Sequence, residues 1–388
     1  MFLRLFTLFF AAAVMPFTSL MASETPEPTH HEVTEVHAAT EQAHTEEAGE
    51  GHETAHGHGA AEADAPFNPN DMIMHHIADS HGWHILDWNG HAVSIPLPVI
   101  LWTREGLVVF SSGEFHHDIE GHHVVEAGGQ QFVNKHDKIY YAGTDEKPVD
   151  LSITKNVLAL LVGAVVLLLI FFSAARYYAK NGNSAPRGLA SFVEPLILFV
   201  RDDIARGAIP EKHLNRFVPY LLTLFFFIWV NNLLGLVPFF PGGANLTGNI
   251  AVTMVLAAFT LIITNVNGTK DYWMHIVWMP GVPAWLKPIL ALIELVGVFT
   301  KPFSLMIRLF ANITAGHILV LSLVSLIFIF ESVWVSPGSI ILTLFISTLE
   351  LLVAALQAYV FTMLTAMSFG AAVEEHHHDD HAHAEGHH

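Results

Sequence analysis

The stretch that decides the fold runs from Ile289 to Phe330 and reads ILALIELVGVFTKPFSLMIRLFANITAGHILVLSLVSLIFIF. Its residues are mostly apolar. The side chains in it that can carry charge or form strong hydrogen bonds are Glu294, Lys301, Arg308, Asn312 and His317. A helix that crosses a bilayer at right angles needs only about 20 residues, whereas forty residues extend over about 60 Å. The stretch therefore either folds back at Lys301-Pro302 or lies strongly tilted in a membrane.

Arg308 carries the strongest functional signal, because no acidic residue stands near it in the sequence. An arginine at the centre of a membrane helix costs about 3 kcal/mol on insertion scales, so such residues usually mark a conduction or relay site. Glu294, Lys301 and Arg308 repeat every seven residues along one helix face, which Asn312 continues, whereas His317 points the opposite way. The pattern predicts polar groups in two environments; the alternative is simple pairing with neighbouring helices.

A second apolar helix, predicted from about residue 340 to residue 369, carries Glu350 and Gln357. These two residues are seven positions apart and share one helix face. Glu350 is the second acid predicted inside the membrane, and it is a candidate for reversible proton uptake. The alternative is a structural role in which Glu350 pairs with a donor at a helix end.

The composition predicts a polytopic membrane protein. Of the 388 residues, 52% are hydrophobic and only 14% are charged, and there is no cysteine for a disulfide or a thiol site. The formal charge of −19 is concentrated at the two ends and does not suggest nucleic acid binding. We expect an all-α polytopic fold with about five membrane-crossing helices, two of them long and tilted. A small β-rich extracytoplasmic N-terminal domain and disordered His-rich tails complete this prediction.

Composition shifts divide the chain into five parts. Residues 1–22 have the basic start and short apolar core of a signal peptide, and residues 23–66 are His- and Glu-rich and predicted to be disordered. Residues 67–150 contain short β-branched and aromatic runs separated by turns, which predicts a small β-rich periplasmic domain. Residues 151–372 form the predicted membrane domain, and residues 373–388 form a His-rich disordered cytoplasmic tail.

The orientation is predicted from basic residues. A group of them follows the first span, which places this loop in the cytoplasm by the positive-inside rule: Arg176, Lys180, Arg187, Arg201, Arg206, Lys212 and Arg216. Five crossings then place the N-terminus in the periplasm and the C-terminus in the cytoplasm.

With these residues in view, the chain resembles subunit a of the F-type ATP synthase membrane sector, the ATP synthase A chain family. The resemblance covers about residues 150–375 and rests on the runs KPFSLMIRLFANITAGH, LQAYVFTMLT and MSFGAAVEEH. It implies that Arg308 is the family's arginine facing the rotating ring of c subunits. Glu294, Asn312 and Gln357 match the family's acid, asparagine and glutamine, and the fold implied has two long tilted helices curving round that ring.

The chain departs from the family pattern at one pair of positions. Bacterial relatives often have glutamate nine residues after the arginine and histidine seven before the glutamine, whereas this chain has His317 and Glu350 there, exchanged. If both side chains line one aqueous half-channel, the exchange preserves an acid–imidazole pair.

The resemblance implies a non-catalytic, proton-translocating subunit of the CF(0) sector in the bacterial inner membrane. Protons would enter through a periplasmic half-channel lined by His317, Glu350 and Glu294, and leave through a second one beyond Arg308. Hydrogen ion transport would then drive ATP synthesis. The implied partners are the c-subunit ring, the b subunits of the peripheral stalk, other ATP synthase subunits and the lipid bilayer, with no cofactor, metal or nucleic acid. The alternative is a secondary metal-ion transporter whose His-rich tracts deliver zinc, which requires close His/Asp clusters inside the spans.

Overall fold

The computed structural model describes residues 69, 73–74 and 77–374, except 89–90, 117, 119, 183–184, 186, 238–241, 280 and 331–335. The predicted signal peptide, the 23–66 segment and all but the first two residues of the C-terminal tail lie outside these described residues. The described chain contains a β-rich part followed by a helical part.

The β-rich part consists of three small antiparallel sheets. Strands β1 (Gly82–Trp88) and β2 (His91–Pro96) form a hairpin. Strand β3 (Pro98–Thr103) lies between β4 (Gly106–Ser111) and β8 (Val149–Asp150). Strand β6 (Gln130–Lys135) lies between β5 (Glu120–Ala127) and β7 (Lys138–Tyr141).

The strands follow from alternating patterns and tight turns. Residues of β3 alternate between buried and exposed positions, and the buried ones, Val99 and Leu101, pack in a core with Phe115 and Phe132. The β5–β6 turn consists of Gly128 and Gly129, both with positive φ, as a two-residue hairpin with the right twist requires. The β-rich pattern of the sequence is thus present from residue 82 to residue 150.

The helical part begins with α1 (Lys155–Asn181), whose first turn is capped by the side chain of Thr154. Helix α2 (Leu189–Leu198) continues through a π-helical segment, Phe199–Ala205, into one α-helical turn, Arg206–Ala208. Buried apolar side chains hold this segment against the neighbouring helices, with Val200 and Ile204 almost fully enclosed.

The remaining helices are α3 (Glu211–Leu236), α4 (Ile250–Val266), α5 (Lys270–Val277), α6 (Lys287–Phe330) and α7 (Ser336–Val373). Helix α3 is central, and its aromatic and aliphatic side chains form the main core together with residues of α6 and α7, including Leu309, Phe361 and Phe369. Large apolar side chains on α6 and α7 stay exposed, as expected of helices that face lipid or another protein.

Helix α6 resolves the alternative left open by its sequence. It is one continuous helix of 44 residues with Pro302 inside it, so the chain does not fold back at Lys301-Pro302. At about 1.5 Å per residue it is roughly 66 Å long, and α7, with 38 residues, is roughly 57 Å long. Both helices exceed the roughly 30 Å hydrocarbon core of a bilayer by a wide margin.

In the described part of the chain, four helices are long and apolar enough to cross a membrane: α1, α3, α6 and α7. Helices α4 and α5 form a pair bent by 103°, which gives a fifth crossing if the pair is counted as one span. The chain is therefore a multi-pass helical membrane protein.

Candidate functional site

A cleft between α3, α6 and α7 contains three of the polar residues that the sequence singled out, Asn312, His317 and Glu350. The cleft is small and partly open to the surroundings. Its lining combines polar and apolar side chains: Asn232, Leu236, Asn312, Ile313, His317, Glu350, Val353 and Ala354. The cleft lies between helices, the usual place for a functional site in a bundle.

His317 and Glu350 line this cleft together, although 33 residues separate them in the sequence. Both side chains are half-buried. The Glu350 carboxylate lies directly against Gly316, where any larger residue would collide with it. The imidazole of His317 lies beside Gly235 of α3, since a Cβ atom at Gly235 would stand 3.8 Å from His317 Nε2. The space left by Gly316 thus lets the Glu350 carboxylate enter the cleft that His317 also lines.

Asn312 and Gln357 connect the two long helices. Asn312 Nδ2 donates a hydrogen bond of 2.9 Å to Gln357 Oε1, and Gln357 is only 3% exposed. The stripe prediction placed Asn312 with Arg308, yet Asn312 lines the cleft together with His317. Asn312 therefore lies between the two environments predicted for α6, the face of Arg308 and the cleft of His317. It does so because its side chain stands at the edge of the α6–α7 interface and reaches the facing helix.

Asn232 belongs to the cleft as well, although the sequence pattern indicated no role for it. It is 3% exposed, accepts a hydrogen bond of 2.5 Å from Thr247 Oγ1 and donates one of 3.4 Å to the backbone carbonyl of Ala354. The available signal was the pair Asn231-Asn232 in an otherwise apolar helix, since buried amides need partners.

Arg308 lies outside the cleft, on the exposed face of α6. Its apolar neighbours in the sequence, Phe303 and Ile307, are exposed with it. Among the described residues, no carboxylate lies within 4.0 Å of its guanidinium group. The arrangement presents a permanent positive charge, one helical turn from Asn312, to whatever covers this face.

Glu294 does not line the same cleft as His317 and Glu350, which corrects the expectation for the periplasmic half-channel. It precedes His317 by 23 residues on one continuous helix, so the two lie roughly 35 Å apart along the axis. Glu294 is half-buried near the end of α6 that faces α5, where Tyr272 is close to it. The reason is the absence of a fold-back, which would have returned Glu294 towards His317.

Metal binding receives no support from the described residues. None of them forms a group of three or more histidine, cysteine, aspartate or glutamate side chains with the geometry of a metal site. The histidines of the two tails lie outside the described residues.

Comparison with known proteins places the membrane domain in a family. The profile described as "ATP synthase A chain" matches residues 157–369, and a second one, described as "Domain of unknown function (DUF8433)", matches residues 72–159. The chain is similar to ATP synthase subunit a of Chloroherpeton thalassium, with 42% identity over 275 residues that cover 69% of this chain and 78% of that protein.

Two further relatives cover more of the chain. ATP synthase subunit a of Anaeromyxobacter sp. (strain Fw109-5) is 39% identical over 334 residues, 83% of this chain and 76% of the relative. The subunit a of Chlorobium phaeobacteroides (strain DSM 266) is 36% identical over 367 residues, 93% of this chain and 89% of the relative. With a family match over more than half of its length and relatives at this level of identity, the chain belongs to the ATP synthase A chain family.

Proposed function

We propose that this chain is the proton-conducting stator subunit of an F-type ATP synthase, in which proton flow past Arg308 drives rotation and ATP synthesis. Family membership over residues 157–369 carries the function. The alternative of metal-ion transport has no support, because the relatives are ATP synthase subunits and the described residues form no metal cluster.

Arg308 is the stator charge in this proposal, and the c-subunit ring covers its face of α6. Its exposure among apolar side chains supports this role, since an unpaired arginine facing lipid is costly. A guanidinium group keeps its proton at any working pH, so Arg308 stabilises the deprotonated carboxylate of a c subunit and blocks a direct leak. A c carboxylate that has taken up a proton then moves into lipid uncharged.

His317 and Glu350 are the proton-handling groups of the half-channel on the periplasmic side. Their shared cleft supports this role, because an acid and an imidazole in one cleft exchange protons through one or two water molecules. Asn312 and Gln357 hold α6 against α7 next to this point. The exchange of residue types relative to the family pattern keeps the acid–imidazole pair in one place.

Glu294 belongs to the second half-channel, on the cytoplasmic side. Its distance of roughly 35 Å from His317 supports this assignment, since the two then lie towards opposite ends of a helix that spans the membrane at a tilt. The basic loop after α1 supports a cytoplasmic location for that side, with residues 67–150 in the periplasm and the C-terminus in the cytoplasm. By family resemblance, we place the chain in the bacterial inner membrane, with the b subunits of the peripheral stalk among its partners.

The test is ATP-driven proton pumping in inverted membrane vesicles that carry the assembled complex. Arg308→Ala should abolish pumping while ATP hydrolysis by the catalytic sector persists. Arg104→Ala is the matched control, because the Arg104 side chain is 78% exposed in the β-rich part, and it should pump like the wild type. Pumping by Arg308→Ala at the level of Arg104→Ala would refute the proposal.

A further inference from the structure

The β-rich part is attached to the first residues of α1 by buried polar contacts. The carboxylate of Asp79 accepts hydrogen bonds from the backbone N–H of Asn156 and from Thr154 Oγ1, both of 3.0 Å. The backbone N–H of Lys155 donates to the carbonyl of Ser80 at 2.9 Å. Asn156 and Lys155 are buried, so the junction is a packed polar interface rather than a loose connection.

His81 lies at the centre of this junction and is 5% exposed. Its Nε2 atom is 2.9 Å from Oδ2 of Asp150, whose side chain is 31% exposed. Its other ring nitrogen, Nδ1, is buried and has no hydrogen-bond partner within the described part of the chain, and the same holds for Asn156 Oδ1. Buried polar atoms normally have partners. His81 thus connects a carboxylate in contact with water to a buried polar interior.

The junction lies close to the cleft that contains His317. Trp83, two residues after His81, is 3% exposed and packs with Ala159 of α1 and with Ala244. The backbone carbonyl of Ala244 stands 3.1 Å from the Cβ position of Gly235, and that position is 3.8 Å from His317 Nε2. Three close approaches in succession therefore lead from Trp83 through Ala244 and Gly235 to His317.

We infer that Asp150 and His81 form a proton relay at the mouth of the half-channel that leads to His317 and Glu350. The inference rests on the proposed function and extends it to the β-rich part, for which the family comparison gives no role. In this arrangement the β-rich part is a cap, and protons reach the cleft through its side chains.

Each step of the relay conserves protons and charge. The Asp150 carboxylate takes a proton from water on its exposed side and passes it to Nε2 of His81, which becomes an imidazolium. The ring then releases the proton on Nδ1 to a water molecule on its buried side, which becomes hydronium and passes the proton on towards the cleft, and tautomer exchange between the two nitrogens resets the ring. Only N–H and O–H bonds form and break, and one proton leaves for each proton taken up.

Three carboxylates and one cation set the charge around His81. Asp150, Asp79 and Asp137 face it from β8, the segment before β1 and the β6–β7 turn, and the cation of Lys155 lies near Asp79 and Asp137. Burial lowers the pKa of His81, but the hydrogen bond and charge of Asp150, with the two other carboxylates, raise it above its ordinary value. His81 therefore binds a proton more readily than an ordinary histidine does.

The test uses the complete enzyme reconstituted in proteoliposomes, with the β-rich part facing the lumen. ATP synthesis is measured against lumenal pH at fixed external pH and fixed membrane potential. His81→Gln replaces the imidazole by an amide of similar size that cannot titrate. We expect its rate to fall by about tenfold or more at alkaline lumenal pH, where protons are scarce, with a smaller loss in acid. Asp150→Asn should change the profile in the same way.

The matched control is His122→Gln, because the His122 side chain is 80% exposed and pairs with Glu120 in the same domain. It should keep the wild-type profile. A His81→Gln enzyme with the same rate and pH profile as His122→Gln would overturn the relay. An equal loss of rate at all lumenal pH values would also overturn it, because a purely structural role of His81 produces that result. If the wild type makes ATP from a proton gradient and Arg308→Ala does not, the proposed function stands whichever result His81→Gln gives.

Discussion

Gly316→Ala should separate the position of Glu350 from the stability of the fold. An added Cβ atom would stand 3.1 Å from Cδ and 3.3 Å from Cγ of Glu350 and would collide with Oε1. Carbon atoms in good contact are about 3.5–4.0 Å apart, so the carboxylate must move, by roughly 1 Å. It is the far end of a flexible, half-buried side chain, so it moves more easily than the helices do.

The expected change in stability is small, because two effects oppose each other. Replacing glycine by alanine inside a helix stabilises it by about 0.5–1 kcal/mol. Overpacking in a rigid core costs about 1–3 kcal/mol, and the movable carboxylate keeps this cost near the lower end. We therefore expect the net free energy of unfolding to change by no more than about 1 kcal/mol.

The expected change in proton transport is large. A misplacement of about 1 Å in a reacting group can lower a rate about a hundredfold. ATP-driven proton pumping by Gly316→Ala should accordingly fall by one to two orders of magnitude, while detergent-solubilised enzyme unfolds at nearly the wild-type temperature.

Gly338→Ala in α7 is the matched control, because nothing lies within 4 Å of a Cβ atom at Gly338. It should pump at the wild-type rate. If Gly316→Ala pumped as fast as Gly338→Ala, the contact between Glu350 and Gly316 would not be part of the proton path.

Two further predictions concern the packing and the junction. Gly163→Ala should lower the stability of the assembled subunit by about 1–3 kcal/mol, because the side chain of Asn231 occupies the space of the new Cβ atom; an unchanged thermal unfolding temperature would contradict this. The junction should be most stable in mildly acidic to neutral solution, as hydrogen exchange of the β-rich part can measure. The folded-state pKa of His81 is raised, so its stabilising contribution is complete below 6.5 and is lost as the pH rises through the folded value. The folded-state pKa of Asp150 is lowered by His81 despite burial, so its contribution is present above 3.8 and is lost as the pH falls through the folded value. Burial raises the pKa of Asp79, which adds to the loss of junction stability as the pH rises. His81→Gln isolates the contribution of the histidine, since the loss of stability at alkaline pH should be smaller in this variant.

The helical spans were largely predictable, since about twenty apolar residues in a row leave few alternatives. Helix α1, from Lys155 to Asn181, contains such a run. The fold of the stretch around Pro302 was not predictable in the same way. A proline inside an apolar run is compatible with a fold-back and with a continuous helix, and packing against α7 and α4 decides between them.

The site was predictable in its residue types and less so in its geometry. Helical phase separated Arg308 from His317, because a helix fixes the angle between any two of its residues. It did not reveal that His317 meets Glu350, since these belong to different helices. It also gave no warning that Glu294 lies far from both, because the distance depends on whether α6 is continuous.

The sequence by itself determined that this protein crosses the membrane several times, that it carries charge inside its spans and which family it resembles. Those properties depend on composition and on local spacing, which are written along the chain. Only the tertiary structure decided that Glu350 and His317 share a cleft, with the Glu350 carboxylate in the space left by Gly316. It alone placed His81 between Asp150 and the membrane domain, because contacts between distant segments depend on how helices and strands pack in three dimensions.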